Sequence, residues 1–208
     1  MALASKVRDF IRHEGLFNLP QAAFNALKPL DFRIFVIDRS HPVPEVPISE
    51  GVTMYENALD RLRSQREGRT DLPNEFWRDQ INGAAQCATL EFNGELGGIV
   101  WAYEYPAQRP VVILAPGEAE LTASRTLERF QGRGLYRSLL RFATVWQLRE
   151  RPRLFTVVAS DNPTPYKAVL ELGFREIAAI RRRPVRGPKF SVSGMCVTNG
   201  IESGNSGD

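Results

Sequence analysis

Hydrophobic and polar positions along this chain fall into two rhythms. In the first thirty residues Val7, Phe10, Ile11, Ala22, Phe24 and Leu27 recur at helical spacing, interrupted by Gly15 and Pro20. Residues 32–37 are a run of Phe, Ile and Val that predicts a strand, and 51–55 predict another. Helical patterns follow at 57–66 and 74–82. Residues 86–92 and 96–103 flank Asn93-Gly94, a pair that accepts positive φ at both centres of a tight hairpin turn. A strand is predicted at 119–127. Over 135–148 Leu135, Leu139, Leu140, Phe142, Ala143 and Trp146 share one side of a helix, while Arg137, Arg141 and Arg149 point elsewhere. Residues 154–159 form a β-branched run suited to a buried strand. Residues 165–172 predict a short helix with Gly173 at its left-handed cap. Strands are predicted at 174–180 and 190–197, and the polar, glycine-rich residues 199–208 predict a disordered tail.

This order of elements predicts an α/β (α+β) protein with a mixed sheet covered by helices. The proline-rich stretch 41–47, with Pro42, Pro44 and Pro47, suggests a border between an N-terminal extension, 1–47, and a main domain, 48–198. An ordinary loop within one domain reads the same way. Cys87 and Cys196 lie far apart in apolar, strand-like runs, which suits two buried thiols better than a disulfide. His13 and His41 stand near no cysteine or carboxylate cluster, so no metal site is expected. No apolar run approaches the roughly 20 residues that span a bilayer, and Lys6, Arg8 and Asp9 interrupt the start. The expectation is a cytoplasmic protein with no membrane partner.

Charge adds one feature. The net charge is only +3, but residues 129–189 hold 14 Arg and Lys against 4 Asp and Glu. Such a segment suits an anionic ligand, and a solvated basic face would look alike. Aromatic residues do not interleave with it as a single-strand platform needs, and no helix-turn-helix or zinc-finger pattern stands out, so nucleic acid is not expected.

The stretch Leu127-Glu128-Arg129-Phe130-Gln131-Gly132-Arg133-Gly134-Leu135-Tyr136 follows a predicted strand and opens the strongest predicted helix. Gly132 and Gly134 leave the backbone open to close approach. The first amides of a helix lack intrahelical partners and, with the helix dipole, form an anion site. Arg133 and Arg137 can add charge-assisted bonds. A Walker loop is ruled out because no Gly-Lys-Ser/Thr follows. A dinucleotide fingerprint is ruled out because the third glycine is missing.

Gln131-Gly132-Arg133-Gly134-Leu135-Tyr136 resembles the pyrophosphate motif Q/R-x-x-G-x-G/A of the GNAT (GCN5-related N-acetyltransferase) superfamily, with Tyr136 where Gly or Ala is usual. A second register, from Arg129 to Gly134, fits the same letters. The first also aligns Leu135, Leu139 and Leu140 with the family's apolar helix positions. The segment from Asn162 through Tyr166 to Leu172-Gly173-Phe174 is similar to the family's Asn…Tyr…Leu-Gly-Phe segment. The resemblance covers roughly residues 51–197.

This resemblance implies a GNAT fold whose parallel strands at 119–127 and 154–159 splay apart. Acetyl-CoA would lie in the gap as co-substrate. Its pantetheine arm would meet the main chain of Arg125, Thr126 and Leu127 like an added strand. Its diphosphate would meet Gln131, Gly132, Arg133, Gly134, Leu135, Tyr136 and Arg137, with Asn162 near the arm. The implied activity is N-acyl transfer to a small-molecule amine or a protein amino group by direct attack; a non-catalytic CoA-binding or interaction module with the same fold is the alternative.

Glu120 is the candidate base, ahead of Glu118 and Glu128. Alternation places Thr122 and Ser124 on the face of Glu120. The tyrosine that many members use as general acid corresponds to Val169 here, which makes Tyr166 the candidate substitute. Trp77, Trp101, Tyr103 and Tyr105 could line an acceptor pocket or simply fill the core. The acceptor and the oligomeric state, a homodimer included, stay open.

Overall fold

The computed structural model describes residues 30–106 and 111–182. The predicted helices before residue 30, the strand at 190–197, the tail and Cys196 lie outside them. The elements are β1 (Leu30–Asp38), β2 (Val52–Tyr55), α1 (Leu59–Arg66), a 3-10 turn (Asn74–Trp77) leading into α2 (Arg78–Asn82), β3 (Gln86–Phe92), β4 (Glu95–Glu104), β5 (Glu118–Thr126), a second 3-10 turn (Glu128–Phe130), α3 (Leu135–Glu150), β6 (Arg153–Ala159), α4 (Pro163–Glu171) and β7 (Arg175–Arg182).

The strands form one mixed sheet in the order β2-β3-β4-β5-β6-β1-β7. Of its neighbouring pairs only β5 and β6 run parallel. The β3–β4 hairpin turns on Asn93 at φ 51° and Gly94 at φ 81°, as the dipeptide predicts.

The position of β1 redraws the expected border at residue 47. This strand belongs to the main sheet, pairing antiparallel with β6 from Phe32↔Ala159 to Asp38↔Arg153 and with β7 from Leu30↔Arg182 to Val36↔Arg175. Its composition explains the place. Ile34, Phe35, Val36 and Ile37 are each 2% exposed or less. Four consecutive apolar side chains need burial on both faces, which an interior strand provides. Phe35 and Ile37 join the main core, while Ile34 and Val36 join a second cluster with Val112, Leu114, Phe155 and Ala178.

The two faces have different covers. On one lies α3, packed on β3 to β6, with α4 beside it. Leu139 of α3 comes so close to β4 that a Cβ at Gly98 would sit 3.1 Å from it. On the other face Trp101 donates its indole N–H to the Glu75 carbonyl at 2.6 Å, anchoring the 3-10 turn. Arg66 and Asp79, both nearly buried, join α1 to α2 through a two-pronged ion pair at 2.7 and 2.9 Å. Cys87 is buried beneath them, as the sequence suggests, and desolvation pushes its thiol up to about 12.

The Leu-Gly-Phe segment closes α4. The Gly173 N–H bonds to Leu170 O at 3.0 Å and the Phe174 N–H to Val169 O at 3.2 Å, a Schellman cap. Gly173 sits at φ 89°, and a Cβ there would meet the His41 ring at 2.8 Å. Gly173→Ala is therefore expected to cost about 1–2 kcal/mol of stability, read from urea unfolding; an unchanged midpoint would contradict the cap.

Candidate functional site

Parallel pairing between β5 and β6 runs from Glu118↔Arg153 to Leu121↔Thr156 and then stops, although β5 continues to Thr126 and β6 to Ala159. Beyond Leu121 the strands diverge, as the resemblance implies. A bulge assists the parting. Ile99 pairs with Arg125 but Trp101 with Thr122, so β5 carries one extra residue there, and Ala123 adopts φ 47°. The bulge also breaks the alternation expected for Glu120, Thr122 and Ser124. Glu120 and Thr122 face away from α3, opposite Tyr103 and Trp101. Ser124 is turned toward α3, where it lines the groove beside Tyr136.

The opening between the strands is a groove of about 800 Å³. One wall is Ser124, Arg125 and Thr126. The loop residues Phe130, Gln131, Gly132 and Gly134 with the first turn of α3 form its head. The opposite wall runs along one side of α4, from Asn162 before its start to Glu171 at its end. The two motif segments, about 30 residues apart in sequence, thus meet across one cleft.

At its head, Gly134 is the residue before α3, at φ 74°, and Gly132 sits at φ 76°. A Cβ added to either would meet nothing within 4 Å, so both glycines face open space. The helical ladder begins with the Arg137 and Ser138 amides, both bonded to Gly134 O. Among the described residues the amides from Gly132 to Tyr136 have no backbone partner, as expected of a helix start. Gln131 donates its side-chain amide to Thr126 O at 3.2 Å and ties the loop to β5. Thr126 Oγ1 and Arg125 Nε are buried in the groove wall with no hydrogen-bond partner among the described residues, so a polar ligand could satisfy them.

Of the other nominated residues, Leu127 and Arg133 do not line the groove. The Leu127 N–H is bonded to Gly97 O, extending the sheet. Arg133 lies 5.0 Å from the Phe92 ring centroid and has no acidic partner among the described residues. Most arginines of the basic segment do have one. Arg129 pairs with Glu95, Arg137 with Glu171, Arg141 with Glu45, Arg149 with Glu56, Arg151 with Glu104, and Arg153 with Asp38 and Glu118. Acids remote in sequence neutralise a run that looks strongly basic on its own.

The two nominated catalytic side chains lie outside the groove lining. Glu120 is 0% exposed at the foot of the opening, paired with Phe155 across the parallel ladder. Its Oε2 accepts the Val112 N–H at 2.8 Å, and its Oε1 is buried with no partner among the described residues. Desolvation pushes the carboxyl up to about 7, opposed by the Val112 and Val111 amides. Tyr166 donates to Glu176 Oε2 at 3.2 Å and stands edge-on to Phe35 at 5.5 Å. The alternative Glu118 is bound by the Ala115 amide and Arg153, and Glu128 is exposed beside Arg125. Trp101 and Tyr103 are core residues, and Tyr105 is half exposed.

Sequence reasoning missed Thr164, Lys167, Ala168 and Glu171 of the groove wall, although they lie within the second motif segment. Their i, i+3, i+4, i+7 spacing along one side of a helix is the available signal.

No family model matches the chain, and no curated protein does. Solved structures do, and they place its fold among the GNAT acetyltransferases. A GNAT-family acetyltransferase from Colwellia psychrerythraea aligns over 80% of this chain and 60% of its own, with TM-score 0.53 and 12% identity. The GCN5-related glucosamine N-acetyltransferase region of a fungal multi-domain GH3 β-N-acetylglucosaminidase aligns over 79% of this chain and 22% of that one, with TM-score 0.55 and 13% identity. A GNAT-family protein from Novosphingobium aromaticivorans matches over 74% of this chain at TM-score 0.51 and 18% identity, and the chain spans 63% of its length. The chain has the GNAT fold, with an open mixed sheet and helices on both sides.

Proposed function

We propose that this protein is an acyl-CoA-dependent N-acyltransferase that transfers an acetyl group from acetyl-CoA to a primary amine. The observation that carries the reading is the meeting of two motif segments across the groove where β5 leaves β6. A polyanion fits its head, where two glycines face open space at the start of α3. An extended arm fits its wall, where β5 has lost its strand partner and Thr126 Oγ1 and Arg125 Nε wait unpaired.

The resident groups then divide the work. The amides from Arg133 to Tyr136 hold the diphosphate, with Arg133 and Arg137 as nearby cations. The unpaired main chain of Arg125 and Thr126 aligns the arm and aims its thioester at the foot of the opening. Glu120 is the proton acceptor. A carboxyl near 7 is half ionised at neutral pH and matched to collecting a proton through water from an attacking amine. The amine nitrogen forms its bond to the acyl carbon, the C–S bond breaks, and the sulfur leaves as thiolate.

One pair of observations favours a second reading, a CoA-binding module without catalysis. Valine stands at position 169 where an acid is usual, and Glu120 is fully covered. Thiol release separates the two. Incubation with acetyl-CoA and a panel of primary amines is expected to release free thiol in proportion to amine. Thermal stabilisation by CoA with no release for any amine would leave the binding module.

A further inference from the structure

If the chain transfers acyl groups, something must stabilise the departing sulfur, and the usual position for that group holds Val169, which is 0% exposed. Tyr166 commits its hydroxyl to Glu176 on β7 and does not line the groove. The hydroxyl-bearing side chains that do are Ser124, Thr126, Tyr136 and Thr164. Thr126 stands at the far end of β5, beside the loop, and Thr164 is exposed on the α4 wall. Ser124 stands where β5 has already left β6, and it lines the groove together with Tyr136, its hydroxyl near enough to the phenol to oppose the effect of burial on it. The first turn of α3 therefore sends one phenol into the path an arm takes from the loop toward the foot of the opening.

We propose that the Tyr136 hydroxyl, oriented by Ser124, donates a hydrogen bond to the sulfur of the acyl thioester as the C–S bond breaks. This inference rests on the acyltransferase reading above and assigns the leaving-group role to a residue of α3 instead of α4. In the step, the amine nitrogen bonds to the acyl carbon and the C–S electron pair moves to sulfur. The amine proton passes to Glu120, and the thiolate takes its proton from water. Tyr136 keeps its own proton throughout. Burial pushes its hydroxyl up to about 12, opposed by the neighbouring Ser124 hydroxyl, whereas an ordinary thiol titrates at about 8.5. Full transfer from phenol to sulfur would run uphill, but a donated hydrogen bond stabilises the anion at no such cost.

Charged groups share the groove, so the test must isolate the phenol. Arg125 pairs with Glu128 at 3.7 Å, Arg137 with Glu171 at 2.7 Å, and Lys167 with Glu171 at 3.7 Å. All of them remain in Tyr136→Phe, so the difference between the two proteins reports the hydroxyl alone.

The experiment titrates the thiol of bound CoA by thiolate absorbance against pH, in wild type, Tyr136→Phe and Ser124→Ala. Calorimetry checks that each variant binds CoA. The expected result is a CoA affinity within about twofold of wild type for Tyr136→Phe, with the bound thiol titrating about one pH unit higher. Ser124→Ala, which keeps the phenol but removes its orienting partner, is expected to move the thiol the same way by less. In turnover, kcat of Tyr136→Phe is expected to fall roughly tenfold to a hundredfold with KM for acetyl-CoA unchanged. An unchanged thiol titration in Tyr136→Phe with CoA bound would overturn the proposal while leaving the acyltransferase reading intact. Failure of wild type to bind CoA at all would instead overturn the reading on which it rests.

Discussion

Replacing Gly134 with aspartate is expected to weaken CoA binding by about two orders of magnitude while the protein stays folded. Two effects separate here. Gly134 precedes α3 at φ 74° and a Cβ there meets nothing, so any new side chain points into open space where the diphosphate would lie. Asp tolerates left-handed backbone better than most residues and is a favoured helix cap, so its cost in stability is small. Its charge acts differently. A carboxylate about 5 Å from a phosphate repels it by about 3 kcal/mol at the effective dielectric of a protein surface, which is roughly a hundredfold in affinity. Gly134→Ala carries the backbone strain without the charge and should lose far less. Calorimetric titration of both variants checks this. Equal affinity in a folded Gly134→Asp protein would remove the loop from the site.

Glu120→Gln is the second large effect, and it should be visible in both rate and stability. Loss of the general base is expected to lower kcat roughly 10²- to 10⁴-fold with CoA affinity unchanged. In the wild type the ionised, basic form exists above about pH 7, so activity should rise through that pH and the variant should lose this limb. The stability effect has the opposite sense. The buried carboxyl is raised from 4.5 to about 7, so the folded chain keeps a proton that the unfolded chain releases within this window. Its contribution is fully present below about 4.5 and is lost as pH rises to about 7. The glutamine variant has no such proton to lose and should be the more stable protein at pH 8, by an amount on the order of a few kcal/mol. Denaturant melts at pH 5 and pH 8 measure it. A variant that retains full activity across the series would remove Glu120 from the mechanism.

The sequence made the local features legible and the long-range ones obscure. Asn93-Gly94 predicts its hairpin because two positive φ angles are a property of those residues alone. Gly173 predicts the end of α4 for the same reason, and Gly134 the start of α3. The core face of α3 is readable from its 3.6-residue period: the predicted Leu135, Leu139, Leu140, Ala143 and Trp146 are buried, and only Phe142 stays partly exposed at the edge of the core. The place of β1 between β6 and β7 was not readable, because register is decided by partners more than 100 residues away. Residues 32–37 announce burial on both faces, but the proline-rich stretch after them looked like a boundary.

The site shows the same division. The anion loop is a contiguous motif and is found from its letters. The bulge at Ala123 comes from β5 falling out of step with β4, and nothing in the alternating pattern of 119–127 marks it. That single extra residue turns Ser124 from the Glu120 side to the α3 side and brings it to Tyr136. The basic segment misled in a related way, since its arginines find acids such as Glu45, Glu56 and Glu95 only once the chain has folded.

The central claim is that unpaired amides at the start of α3 hold the diphosphate of a thioester carrier. Amide chemical shifts recorded during a titration with CoA test it residue by residue. The account predicts that the largest changes fall on Gly132 to Arg137, with a second set on Ser124 to Thr126 along the arm. Saturable binding that leaves these amides unmoved and shifts another part of the sheet would contradict it.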